Sequence, residues 1–245
     1  MSTQYMIGVD MGTTSTKSVL FTENGTIVTK ADHGYPLYTP SPSIAEQDPE
    51  EIFRSVMYTL SAVMRQSGVE AKDILFVSFS SAMHSVIAVD KDGHPLTKCI
   101  TWADNRSAEQ TLRLKNELGG HELYLRTGTP IHPMSPITKL MWMREEQPEL
   151  FEKAHKFISI KEYIFFKLFG DYIVDHSIAS STGMMNLERL EWDKEALNIA
   201  GIDESRLSRL VPTTYAACGL LPEASKEIGL LPDTPFIVGA SDGVL

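Results

Sequence analysis

Apolar positions open the chain in short runs that alternate with polar ones. Tyr5 to Val9 is apolar apart from Gly8, Lys17 to Phe21 alternates again, and a hydroxyl-rich turn joins the two as strands. Glu23-Asn24-Gly25 makes a second hairpin turn, because Asn-Gly tolerates the positive φ angles of a tight loop. Three strands are therefore predicted first. After the proline-rich, extended stretch Tyr35 to Pro42 the period becomes helical, with Ile52, Val56, Leu60 and Val63 on one face. Asp48 is a good N-cap, Pro49 suits the first helical position and Gly68 closes the far end. Ile74 to Phe79 is then an apolar run of strand length, and the β–α–β order predicts a covered sheet.

Further on, Val86–Val89 and Thr97–Trp102 flank Asp90 to Gly93 as another predicted hairpin. Ser107 and Gln110 have capping-box spacing, which starts a helix just after Arg106. Prolines punctuate a loop from Thr127 to Ser135, ahead of a helix through Lys139 to Arg144. A strand over Phe157–Ile160, a helix over Glu162–Phe169, a polar segment over Ser177–Gly183 and a closing strand over Phe236–Ala240 follow. In open α/β sheets ligands gather beyond the carboxyl ends of strands, and Asp10, His84, Asp104 and Asp242 can all be placed there.

Composition narrows the partners. At 245 residues, 42% hydrophobic and 22% charged, the chain can bury one large core or two small ones. A net charge of −10 without a basic run argues against nucleic acid. No run reaches membrane-span length and the first strand begins too early for a signal peptide, so a cytoplasmic location is expected. Cys99 and Cys218 are too few for a zinc site or a disulfide framework.

The candidate chemistry starts at the first turn. In Gly8-Val9-Asp10-Met11-Gly12-Thr13-Thr14-Ser15-Thr16-Lys17, Gly12 allows close backbone approach, Thr13, Thr14 and Ser15 offer hydroxyl donors, and Lys17 offers charge. Asp10 can hold magnesium directly or through water. The return as a strand excludes a Walker A loop, which leads into a helix. This segment resembles the phosphate hairpin of the actin-like ATPase superfamily, and specifically that of the FGGY carbohydrate kinases. Ser80-Ser81-Ala82-Met83-His84-Ser85 is similar to a Met-His sugar-contact loop of that family, and Thr101-Trp102-Ala103-Asp104-Asn105-Arg106 to its W-x-D-x-R segment. Gly239-Ala240-Ser241-Asp242 looks like its G-x-x-D, and Thr127 to Ser135 like its substrate-lining loop.

The resemblance implies a ribonuclease H-like (actin-like ATPase) α/β domain, a mixed sheet flanked by helices, using ATP and Mg2+ to phosphorylate a primary hydroxyl. It implies that Asp242 is the catalytic base, that Asp10 manages the metal, and that Gly12, Thr13, Thr14, Ser15 and Lys17 hold phosphates. Met83, His84, Trp102, Asp104, Arg106 and His132 would line the substrate, with Asp104 bonding sugar hydroxyls and Arg106 clamping a carboxylate. A core position for Trp102 is the competing expectation. His132 and Met134 depart from the glycerol-kinase pattern, and the combined blocks look most like those that act on gluconate, with xylulose or another pentulose next. A non-catalytic sugar-binding regulatory module and a chaperone-like ATPase are the alternatives of other classes. Family members carry a second, C-terminal domain with the adenosine pocket, so residues 1–245 are expected to be the N-terminal domain, inactive alone. A homo-oligomer is left open.

Overall fold

The computed structural model describes residues 3–244. The chain runs β1 (Tyr5–Met11), β2 (Ser15–Thr22), β3 (Ile27–Gly34), β4 (Glu46–Gln47), α1 (Pro49–Ser67), β5 (Ile74–Ser81), β6 (Ile87–Val89) and β7 (Cys99–Ile100). Next come α2 (Ala108–Glu117), α3 (Gly120–Thr127), α4 (Pro136–Glu146), α5 (Pro148–Lys153), β8 (Lys156–Ile158), α6 (Ile160–Phe169) and β9 (Ile173–Asp175). The last are α7 (His176–Ser180), β10 (Met185–Asn186), β11 (Glu191–Trp192), α8 (Lys194–Ala200), β12 (Arg209–Val211), β13 (Ala216–Ala217), α9 (Pro222–Ile228) and β14 (Phe236–Ser241).

Six strands form a mixed sheet in the order β13-β14-β5-β1-β2-β3. The meander β1–β2–β3 is antiparallel, whereas β1, β5 and β14 run parallel to one another. Parallel neighbours need a crossover, and α1 supplies the one between β3 and β5. The Asp48 carboxylate accepts the Glu50 amide at 2.9 Å, and Gly68 ends the helix at φ 66°. Between these caps Ile52, Val56, Leu60 and Val63 are buried with Ile7, Val9 and Leu20 of the sheet. A second buried cluster, with Leu140, Met141, Ile178 and Leu197, gathers the helices that follow β7. No helix among the described residues is long and apolar enough to cross a membrane.

Gly239 fixes how closely β14 meets β5. A Cβ there would lie 1.8 Å from the Phe79 carbonyl oxygen, and the residue sits at φ 69°, so only glycine fits. The register between the two strands shifts at this point.

Several expected elements differ in detail. The 86–102 hairpin closes through Val86 with Ile100 and Val89 with Pro95, and β6 pairs in addition with the distant β8. Ser107 starts α2 without capping it, because its hydroxyl is turned to Thr138 at 3.0 Å and the Pro133 carbonyl at 3.1 Å. A capping box stands at Ser159 and Glu162, which exchange bonds at the start of α6. The polar 177–183 segment is largely α7, nucleated by the Asp175 carboxylate capping Ser177 and Ile178.

Candidate functional site

The carboxyl ends of three parallel strands bring the key residues together. Asp10 lies near the end of β1, opposite Lys17 on β2 and Ser80 on β5. Ser81 ends β5 and leads into the Ala82–Ser85 loop, while Ser241 ends β14 and delivers Asp242. Asp10 and Asp242 thus flank β5, about 10 Å apart at the spacing of strands.

The β1–β2 turn is braced from behind. Its Gly12 amide donates to the Ser15 carbonyl at 3.0 Å. The Tyr35 hydroxyl donates to the Gly12 carbonyl at 2.6 Å, the Gln47 amide to that of Thr13 at 2.7 Å, and the Tyr35 amide to that of Thr14 at 3.1 Å. Every carbonyl from Gly12 to Thr14 is therefore engaged. Among the described residues the amides of Thr13 and Thr14 donate to no protein acceptor, which leaves two adjacent donors for an anion. Asp10, Thr14 and Lys17 are exposed, and Ser15 is half-buried.

Beneath Asp242 lies a buried ion pair that the sequence reading did not find. Lys161 of α6 donates to Asp175 at 2.8 Å and to the Ala240 carbonyl at 3.1 Å, with both side chains almost wholly buried. Asp175 also binds Ser177, whose hydroxyl accepts the Ser241 amide at 2.8 Å. Both residues preceding Asp242 are thereby anchored. Partial burial and the charge of Asp10 raise the Asp242 pKa, while the Gly243 amide and Lys161 oppose that rise.

Met83 and His84 line a cleft of about 230 Å³ with Thr127, Gly128, Thr129 and Ser181. His84 adopts φ 64°, a conformation that costs a non-glycine residue about 1–3 kcal/mol. Its Nδ1 lies 2.8 Å from the Ser181 carbonyl, so Nδ1 carries the proton and a neutral ring offers Nε2 as acceptor. Burial lowers the His84 pKa, which favours that neutral ring. Trp102 is 47% exposed, and its indole donates to the Thr13 hydroxyl at 3.1 Å, so it is not a core residue. His132 is exposed, and its Nδ1 accepts the Met134 amide within its own loop.

Asp104 and Arg106, expected at the sugar, are bonded to each other. Asp104 is 0% exposed, and its oxygens accept the Ala45 amide at 2.7 Å and the Arg106 amide, Nε and Nη2. Arg106 Nη2 also donates to Glu46 at 2.6 Å, and its Cζ lies 5.0 Å from the Trp142 ring centroid. The pair welds the 43–47 and 101–106 segments together. The signal for the missed Lys139 and Lys161 was local: each is a cation beside apolar residues on the buried face of a helix.

Residues 5–245 match the N-terminal domain of the FGGY family of carbohydrate kinases, and the chain belongs to that family. The chain is 58% identical over 243 residues to the gluconokinase of Bacillus subtilis (strain 168), covering 99% of this chain and 47% of that protein. The crystal structure of gluconate kinase from Lactobacillus acidophilus superposes with a TM-score of 0.94 at 40% identity, over 99% of this chain and 49% of that one. Ligand-bound xylulose kinase from the same organism gives 0.94 at 40% identity, over 98% and 48%. The chain thus spans about half the length of the relatives it matches. Its mixed sheet with flanking helices is the actin-like ATPase fold of these kinases, as the first turn implied.

Proposed function

We propose that this chain forms the sugar-binding and phosphate-binding part of a kinase that moves the γ-phosphoryl group of ATP to a primary hydroxyl of gluconate, giving 6-phosphogluconate. The observation that carries the reading is the convergence of the braced turn, the two carboxylates and the His84 cleft around three parallel strand ends. The 58% identity to a gluconokinase supports gluconate. When bound, magnesium and ATP supply the activated γ-phosphoryl group and the positive charge that neutralises it. The donor set fits both: hard carboxylate oxygens at Asp10 suit magnesium, while the free Thr13 and Thr14 amides, the Ser15 hydroxyl and the Lys17 ammonium suit phosphates.

On the acceptor side, Asp242 takes the proton from the attacking hydroxyl onto a carboxylate oxygen. His84 Nε2 accepts from a sugar hydroxyl, and Met83 forms an apolar wall beside the carbon chain. Trp102 bridges the phosphate turn and the sugar, while His132 stands at the rim of the substrate loop. We assign the adenosine pocket to a further, C-terminal domain, with residues 1–245 alone inactive. The relatives' greater length supports this division.

The 40% identity to a xylulose kinase supports a pentulose as the second reading. Coupled assays of the intact enzyme with gluconate, xylulose, ribulose and glycerol separate the two, and preference for a pentulose would overturn gluconate. Asp242→Asn should retain gluconate binding by calorimetry while kcat drops by about 10²–10⁴-fold. Near-normal turnover in that variant would remove Asp242 from the chemistry.

A further inference from the structure

Lys139 of α4 is 0% exposed, and among the described residues its ammonium touches no carboxylate. It donates to three backbone carbonyls instead: His84 at 2.8 Å, Thr101 at 2.7 Å and Met134 at 2.8 Å. Each carbonyl belongs to a different loop, the Met-His loop, the W-x-D-x-R segment and the 127–135 loop. An ammonium has three N–H donors, and all three are used.

We infer that Lys139 is a positioning residue that clamps the three substrate loops into one preformed pocket without touching the substrate itself. The inference rests on the sugar-kinase reading above. Two of its acceptors stand where position matters most. His84 is held in its unfavourable backbone conformation from two sides, through its carbonyl by Lys139 and through its ring by Ser181. Thr101 is followed by Trp102, whose indole holds Thr13 of the phosphate turn, so one ammonium links the sugar side to the phosphate side.

A neutral amine could fill only two of the three acceptors, so the clamp is complete only in the charged form. Burial pushes Lys139 down to about 7, with the Asp104 charge opposing that fall and Arg106 adding to it. With Lys139 at 0% exposure, the three carbonyls take the place of solvent around the ammonium.

The test uses Lys139→Met and Lys139→Gln in the intact kinase, with steady-state kinetics, calorimetry and melting curves. Lys139→Met should raise KM for gluconate by about tenfold or more, with a smaller rise in KM for ATP through the Trp102–Thr13 bond. Lys139→Gln, which keeps two donors, should fall between it and wild type. A lower melting temperature with an unchanged gluconate KM would reduce Lys139 to a structural residue and overturn the inference. Hydrogen exchange on the wild type needs no folded variant. The amides of Ala82, Arg106 and Ser135 should open together with one free energy, and independent opening of the three loops would also overturn it. Failure of the wild type to phosphorylate any sugar would instead sink the functional reading, and the exchange result would still stand.

Discussion

In the proposed reaction Asp242 is the base, and its neighbours set when it can act. A base must be deprotonated, so a carboxylate with a raised pKa loses function as pH falls through that raised value. Lys161 opposes the rise, and Lys161→Gln should therefore move the acid limb of kcat/KM to higher pH. The same change strands the buried Asp175 and should cost about 3–5 kcal/mol of stability. A pH–rate profile and a urea melt on one preparation measure both effects, and an unmoved acid limb would detach Lys161 from Asp242. At this scale the sequence was legible in placement, with Asp10 near the end of β1 and Gly12 to Thr14 in the turn that leads into β2. It did not show that Asp104 and Arg106 bond to each other, because spacing alone does not reveal that a carboxylate and a guanidinium two residues apart can do so.

Helices with strong local signals declared themselves, and α1 is the example: its N-cap, proline, apolar stripe and terminal glycine all agree with the structure. The short α3 went unread because it begins at the Gly119-Gly120 pair, which reads as a breaker, and the pairing of β6 with β8 is a tertiary choice between distant segments. The capping box of α6 carries a testable pH signature. Burial raises Glu162 to about 7 from an ordinary value of 4.5. Its folded value lies above its unfolded one, so its contribution to stability is fully present below about 4.5 and is lost as pH rises through about 7. Glu162→Gln should therefore flatten the fall in urea midpoint between pH 5 and pH 8 and match or exceed wild type at the upper end. An unchanged slope would show that Glu162 does not titrate there.

Across the whole molecule, one sheet carries both ends of the proposed reaction. The antiparallel meander supplies the phosphate turn, and the parallel strands supply the carboxylates and the His84 loop. Short motifs spread from residue 8 to residue 242 converge because parallel strands point the same way, a relation that the β–α–β order predicted. The links between the motifs were not predicted, since Lys139, Lys161 and Tyr35 act through backbone carbonyls that no side-chain pattern marks. One such link doubles as an optical probe. Of the three tryptophans, Trp192 is sealed at 5% exposure, whereas Trp102 is half in solvent with its indole on the Thr13 hydroxyl. Occupation of the turn by ATP should compete for that hydroxyl and shift the wavelength of Trp102 emission. Titrating wild type and Trp102→Phe in parallel isolates the signal, so the protein reports on its own phosphate site without an attached dye.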